Sequence, residues 1–122
     1  MKKWKRIKHF DVDEFDSPDL KGSGVNMDMD FVEVLDKVRD LAEIPFKVNS
    51  GYRSARHNKK VKGSPNSSHL RGLAADIHCV DSDSRLRIVY AAIQVGITRI
   101  GIGKTFIHLD TDPNKVSALW VY

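Results

Sequence analysis

From residue 31 to 42 the apolar positions Phe31, Val34, Leu35, Val38, Leu41 and Ala42 recur in steps of three and four, the spacing of one face of a helix. Asp28 or Asp30 can cap its start, and Pro45 limits its end. Residues 46–50 alternate instead, and Gly51 stops them, which predicts a short strand handing Tyr52 and Arg53 to a loop. A short helix is predicted over 55–61. Residues 62–68 (KGSPNSS) read as a loop that delivers His69. After Gly72 the run LAADIHCV predicts a buried strand. Asp81 or Ser82 then caps a second long helix, apolar at Leu86, Ile88, Val89, Ala92, Ile93 and Val95 and ended by Gly96. Residues 98–102 and 105–109 predict two strands joined by a turn at Gly103 and Lys104, and residues 118–122 a last strand closing the sheet.

Two helix-length segments and a shorter one, set among about five strands partly in hairpin order, predict an α+β fold. The expected architecture is a small single domain over residues 1–122, with a mainly antiparallel sheet and two to three flanking helices. Residues 16–26 (DSPDLKGSGVN) lack periodicity and read as a loop, so residues 1–26 are taken as a basic N-terminal segment plus loop. At 122 residues and 41% hydrophobic content, the chain can bury one core without disulfides or repeats.

Charge adds a bias but not a function. The net charge of +4 comes largely from the first nine residues and from residues 53–62. Such a surface favours polyanions, among them nucleic acid, anionic lipid and wall polymers, although a solvated basic face needs no partner. Cys79 is the only cysteine, which excludes an internal disulfide and a thiolate metal cage; between Ile77 and Val80 it reads as a small buried hydrophobe. The basic start is not followed by the apolar core of a signal segment, and no run reaches membrane-spanning length. The expectation is synthesis in a cytoplasm without a signal peptide.

The candidate chemistry lies in two strands. Alternation puts Ala74, Asp76 and His78 on one face, and likewise Phe106, His108 and Asp110. A buried Asp or His is costly unless paired or coordinated. One explanation is an Asp–His hydrogen-bonded pair in the core. The other is a metal: His69, Asp76 and His108 offer two imidazoles and a carboxylate, the three-ligand set with an open position that a catalytic zinc uses. Asp110, two residues after His108, is then a carboxylate orienting a ligand imidazole or a general base.

Several motifs occur together and in order: Ser50-Gly51-Tyr52-Arg53, Arg56-His57-Asn58 with Gly63-Ser64, the pattern SxHxxGxAxD from Ser67 to Asp76, and the terminal FIHLD. Together, over about residues 31–112, they resemble the zinc D-Ala-D-Ala carboxypeptidases and related phage endolysin peptidases. The resemblance implies His69, Asp76 and His108 as zinc ligands, Ser67 as a contact to substrate backbone, and Arg53 as the arginine that holds a substrate carbonyl or the oxyanion. It implies hydrolysis of an amide bond in a peptidoglycan stem peptide or cross-bridge by zinc-activated water, and action on a cell wall, with phage or prophage origin as one route. Relatives often carry a Glu three residues before the last ligand or a His two before it; here those positions hold Thr105 and Phe106. Asp110 is therefore the first candidate base and His78 the second.

The departure at Thr105 and Phe106 motivates an alternative, a non-catalytic zinc-containing module that binds cell wall. A nucleic-acid binder acting through the basic N-terminus is a weaker rival, so no specific nucleic-acid partner is expected, and a monomer is the default. His57 and His9 read as surface histidines; Trp4, among basic residues, can stack on bases or sugars, and an aromatic pinning the terminus to the core explains it as well.

Overall fold

In the computed structural model, which describes residues 3–122, three α-helices and a five-stranded sheet form an α+β fold. Helix α1 (Met29–Ala42) starts where the Asp28 carboxylate accepts the amide of Phe31, and ends at Glu43, whose φ of 57° turns the chain before Pro45. Its buried stripe is Phe31, Val32, Leu35, Val38 and Ala42. Helix α2 (Ala55–Lys60) is a short turn capped by Ser54. Helix α3 (Ser82–Val95) is capped by Asp81 and closed by Gly96, as its residue pattern requires. Only Ile88, Ala91 and Ala92 of α3 are buried, and Leu86 and Ile93 are exposed.

The strands are β1 (Val48–Ser50), β2 (Ala74–His78), β3 (Arg99–Ile102), β4 (Phe106–Asp110) and β5 (Ala118–Val121), in the order β1-β2-β4-β3-β5. Three pairings are antiparallel, but β5 runs parallel to β3, so the sheet is mixed. The reason is geometric. Because β4 lies antiparallel to β3, its end at Asp110 sits beside the start of β3 at Arg99. The short connection after β4 passes that same end, where the Ala118 amide donates to Thr98 O, so β5 has to run alongside β3 in the same direction.

One face of the sheet carries Ala75, Ile77, Ile100, Ile107 and Leu109, and these join the apolar residues of α1 and α3 in a single core. Burial of these side chains is the main favourable term holding helices to sheet. The opposite face is left for chemistry.

The N-terminal region is more ordered than a loop. It makes 3-10 turns at Lys3–Arg6, Val12–Phe15 and Ser23–Asn26, and buries Ile7, Phe10 and Phe15. Half-buried Trp4 packs on Phe15 with ring centroids 5.8 Å apart. The backbone amides of Lys8 and His9 donate to the buried carboxylate of Asp36, at 2.8 and 3.0 Å. The periodicity-free composition of 16–26 concealed this, because the segment is held by long-range contacts rather than by a repeat of its own. Met1 and Lys2 of the basic segment lie outside the described residues. Cys79 is buried, and among the described residues no helix is long and apolar enough to cross a membrane.

Candidate metal centre

Sheet register assembles the site. Asp76 on β2 stands opposite His108 on β4, His108 opposite Gly101 on β3, and Gly101 opposite Trp120 on β5. Ser50 on β1 extends the same row beyond Asp76. Since every second residue of a strand shares a face, this row lies on the side away from the helices. The next row pairs Asp110 with Arg99, whose Nε donates to Asp110 Oδ1 at 2.8 Å.

His69 comes from outside the sheet. It sits in the 3-10 turn Ser68–Arg71, where Ser67 Oγ accepts the His69 amide at 3.2 Å. Gly72 closes the turn with φ of 69°, in the left-handed region that glycine adopts without strain. Gly72 also packs against backbone: a Cβ there would stand 2.5 Å from Asn26 O and 2.7 Å from Met27 Cα. The glycine of SxHxxGxAxD is thus needed twice, for its turn and for the close approach of the N-terminal segment.

His69, Asp76 and His108 each offer one ligand atom, all within 4.8 Å of one another. The outer nitrogen of each ring is already engaged. His69 Nδ1 lies 2.8 Å from Gly51 O, which turns Nε2 toward Asp76 at 3.4 Å. His108 Nε2 lies 2.7 Å from Asp110 Oδ2, which turns Nδ1 toward Asp76 Oδ1 at 2.9 Å. Two imidazole nitrogens and a carboxylate oxygen, with both rings fixed from behind by a carbonyl and a carboxylate, match the donor set and outer partners of a zinc site.

The electrostatics follow from this packing. Burial works against the Asp76 charge, but hydrogen bonds from His108 and His69 outweigh it and hold the carboxyl well below the usual carboxylate range. Burial likewise disfavours His108 as a cation, yet its bonds to Asp110 and Asp76 raise its pKa. For Asp110 burial is again the largest opposing effect, overcome by His108 and the Asp112 amide, so its pKa falls. These pairings keep the Asp76 and Asp110 carboxylates charged.

The cluster borders a cavity of about 420 Å³. Arg53 and Ser67 line it, as do Asp110 and the three cluster residues. Arg53 Nη1 donates to Asn58 Oδ1 at 2.9 Å and Nη2 to Ser50 Oγ at 3.4 Å, while its buried Nε has no partner among the described residues. Burial lowers the Arg53 pKa, and Asp76 partly offsets this. His78 shares the strand face of Asp76 but lies exposed at the end of β2 beside Phe106, and it does not line the cavity. Asp110 is 1% exposed, and both of its oxygens are occupied, by His108 on one side and by Arg99 and the Asp112 amide on the other.

Several lining residues escaped the sequence reading. Trp120 packs on His108 at 5.4 Å between centroids, and the Arg99 guanidinium lies 5.1 Å over the Trp120 ring. Tyr122, Ser68, Arg99 and Lys115 also border the cavity. Nothing in local spacing ties residue 120 to residue 108; only the β4-β3-β5 order does so. Asn58 had a signal, the Arg-His-Asn motif, and its role is now concrete: it holds Arg53 and, through Nδ2, donates to Ser64 O at 2.9 Å.

Comparison with known families agrees with this geometry. A family model described as Peptidase M15 matches residues 8–110, a span that contains β1 to β4 and all three residues of the cluster. No curated protein matches the chain. With most of its length inside that match, from Lys8 to Asp110, the chain belongs to the peptidase M15 family.

Proposed function

We propose that this M15 peptidase is a zinc metallopeptidase that hydrolyses an amide bond in peptidoglycan peptides. The observation that carries the reading is the convergence of His69 Nε2, Asp76 and His108 Nδ1 on one point at the cavity wall, with the outer ring nitrogens held by Gly51 O and Asp110. His69, Asp76 and His108 would hold the ion. When bound, zinc supplies Lewis acidity toward a carbonyl oxygen and a lowered pKa for water.

The rest falls to the chain's own groups. Arg53 lines the cavity with a guanidinium braced by Asn58 and Ser50, suited to a substrate carbonyl oxygen as it gains charge. Ser67 sits at the cavity edge, where its hydroxyl, already accepting the His69 amide, can still donate to a substrate backbone carbonyl. Asp110 acts through His108: a carboxylate 1% exposed, with both oxygens engaged, positions the imidazole rather than collecting a proton from solvent.

A second reading is a zinc-containing wall-binding module. Its support is that Thr105 and Phe106 stand where relatives often carry a Glu or His, and that His78 lies off the cavity. Zinc content and amine release from purified peptidoglycan, measured on the wild type and His69→Ala with products resolved by mass, separate the readings. One zinc per chain with release, both lost in the variant, is the expected result. Zinc and wall binding without release would establish the module, and wild-type protein without zinc would overturn both.

A further inference from the structure

The cavity is lined by three cations, Arg53, Arg99 and Lys115, and two carboxylates, Asp76 and Asp110. Arg99 is matched to Asp110 at 2.8 Å, and Asp76 is held between the two imidazoles. Lys115 is different. Its nearest carboxylate is Asp112 Oδ2, 3.9 Å from Nζ, and that same oxygen is ion-paired to Arg71 and accepts the Ser68 hydroxyl at 2.7 Å. Asp112 is completely buried in its side chain, and its other oxygen accepts the Asn114 amide at 3.0 Å. One carboxylate therefore serves two cations, and the Arg71–Asp112–Lys115 cluster keeps a net positive charge.

The position of that charge is fixed. Lys115 Nζ donates to Ser68 Oγ at 3.1 Å, and Ser68 immediately precedes His69 in the turn that brings this imidazole to the cluster. Lys115 arrives from the β4–β5 connection, whereas Arg53 arrives from the loop between β1 and α2, so two cations that among the described residues have no unshared carboxylate border one cavity. An ammonium held on a buried, already shared carboxylate and only 23% exposed is poorly solvated and has spare hydrogen-bond donors.

We infer that Lys115 is a specificity-determining residue that binds a carboxylate of the substrate, so that the cavity selects acidic peptides. The inference rests on the peptidase reading for the peptide that enters the cavity. A stem peptide has two sources of such a carboxylate, its C-terminus and the free carboxyl of its Glu residue, and the probes must separate them.

The test is calorimetric binding to the full chain, with and without zinc, of three synthetic stem peptides: one with both carboxylates free, one with the C-terminus amidated, and one with the Glu carboxyl amidated. The wild type is expected to lose at least tenfold in affinity on one of the two amidations, which names the carboxylate. Lys115→Gln keeps a donor for Ser68 but removes the charge, and it should bind the free peptide as weakly as that amide, with the amide itself unaffected. Lys115→Arg should restore much of the preference. Equal affinity of the wild type for all three peptides would overturn the inference, as would a Lys115→Gln variant that weakens acid and amide alike. Acid-selective binding without any amine release would leave Lys115 in its role and overturn the peptidase reading instead.

Discussion

His108 is clamped between two carboxylates, with Nδ1 2.9 Å from Asp76 Oδ1 and Nε2 2.7 Å from Asp110 Oδ2. Asp110 is itself held by Arg99, and Arg99 by the carbonyl of Val116 at 2.6 Å. A chain of charge-assisted contacts thus runs from the β4–β5 connection through β3 to the inner nitrogen that faces Asp76. Because the outer nitrogen is engaged, the ring cannot flip without losing a buried hydrogen bond.

Replacement of Asp110 by Asn should therefore weaken zinc binding about 10- to 100-fold, the usual cost of losing an outer partner of a ligating histidine. Competition with a chromogenic chelator measures this directly. Unchanged zinc affinity with lost amine release would instead assign Asp110 to proton transfer.

Gly72→Ala places a side chain at φ of 69° and drives its Cβ to within 2.5 Å of Asn26 O. Left-handed backbone alone costs roughly 1–3 kcal/mol, and the backbone clash adds to it. Denaturant unfolding should show a loss of at least this size together with weaker zinc binding, since the strained turn carries His69.

Gly101→Ala tests the aromatic wall. A Cβ at 101 would lie 2.6 Å from Trp120 Cε2, so the indole has to leave its place against His108 and Arg99. Overpacking of this kind costs about 1–3 kcal/mol. The variant should unfold at a lower temperature with altered tryptophan emission. Adding Trp120→Leu should recover part of the loss, and no recovery would place the damage in the backbone of β3.

Asp112 supplies a pH dependence. Burial would raise its pKa, but the Ser68 hydroxyl, the Asn114 amide and Arg71 together hold it below the ordinary carboxylate value of 3.8. A depressed folded pKa contributes stability that is present above the unfolded pKa and lost as pH falls through the folded one. Melting temperatures of the wild type should drop from about pH 5 downward. Asp112→Asn should be less stable at neutral pH and less sensitive to acid over that window, and parallel curves for the two proteins would contradict the assignment.

The helices and most strands were readable in local pattern because their cause is local. The Phe31–Val38 stripe, the Asp28 and Asp81 caps and the Gly96 stop act within a turn or two of chain, and the structure follows them closely. The pattern was less informative at α3, where apolar Leu86 and Ile93 follow helical spacing and yet stay exposed, because α3 packs chiefly on α1 and buries only Ile88, Ala91 and Ala92. It failed at the N-terminal turns, whose order depends on Asp36 and Phe15 contacts formed only after folding.

By itself the sequence determined the α+β composition of the fold, the glycine and serine that shape the His69 turn, and, through residue type and the ordered motifs, His69, Asp76 and His108 as candidate ligands, because these are properties of the chain. Tertiary structure alone decided what surrounds them. The parallel course of β5 brings Trp120 to His108; the β3–β4 register pairs Arg99 with Asp110; and the last connection carries Lys115 to the cavity rim beside Ser68. Those partners are far apart along the chain, and strand order and register, which depend on how all five strands share one buried face, have no local signature.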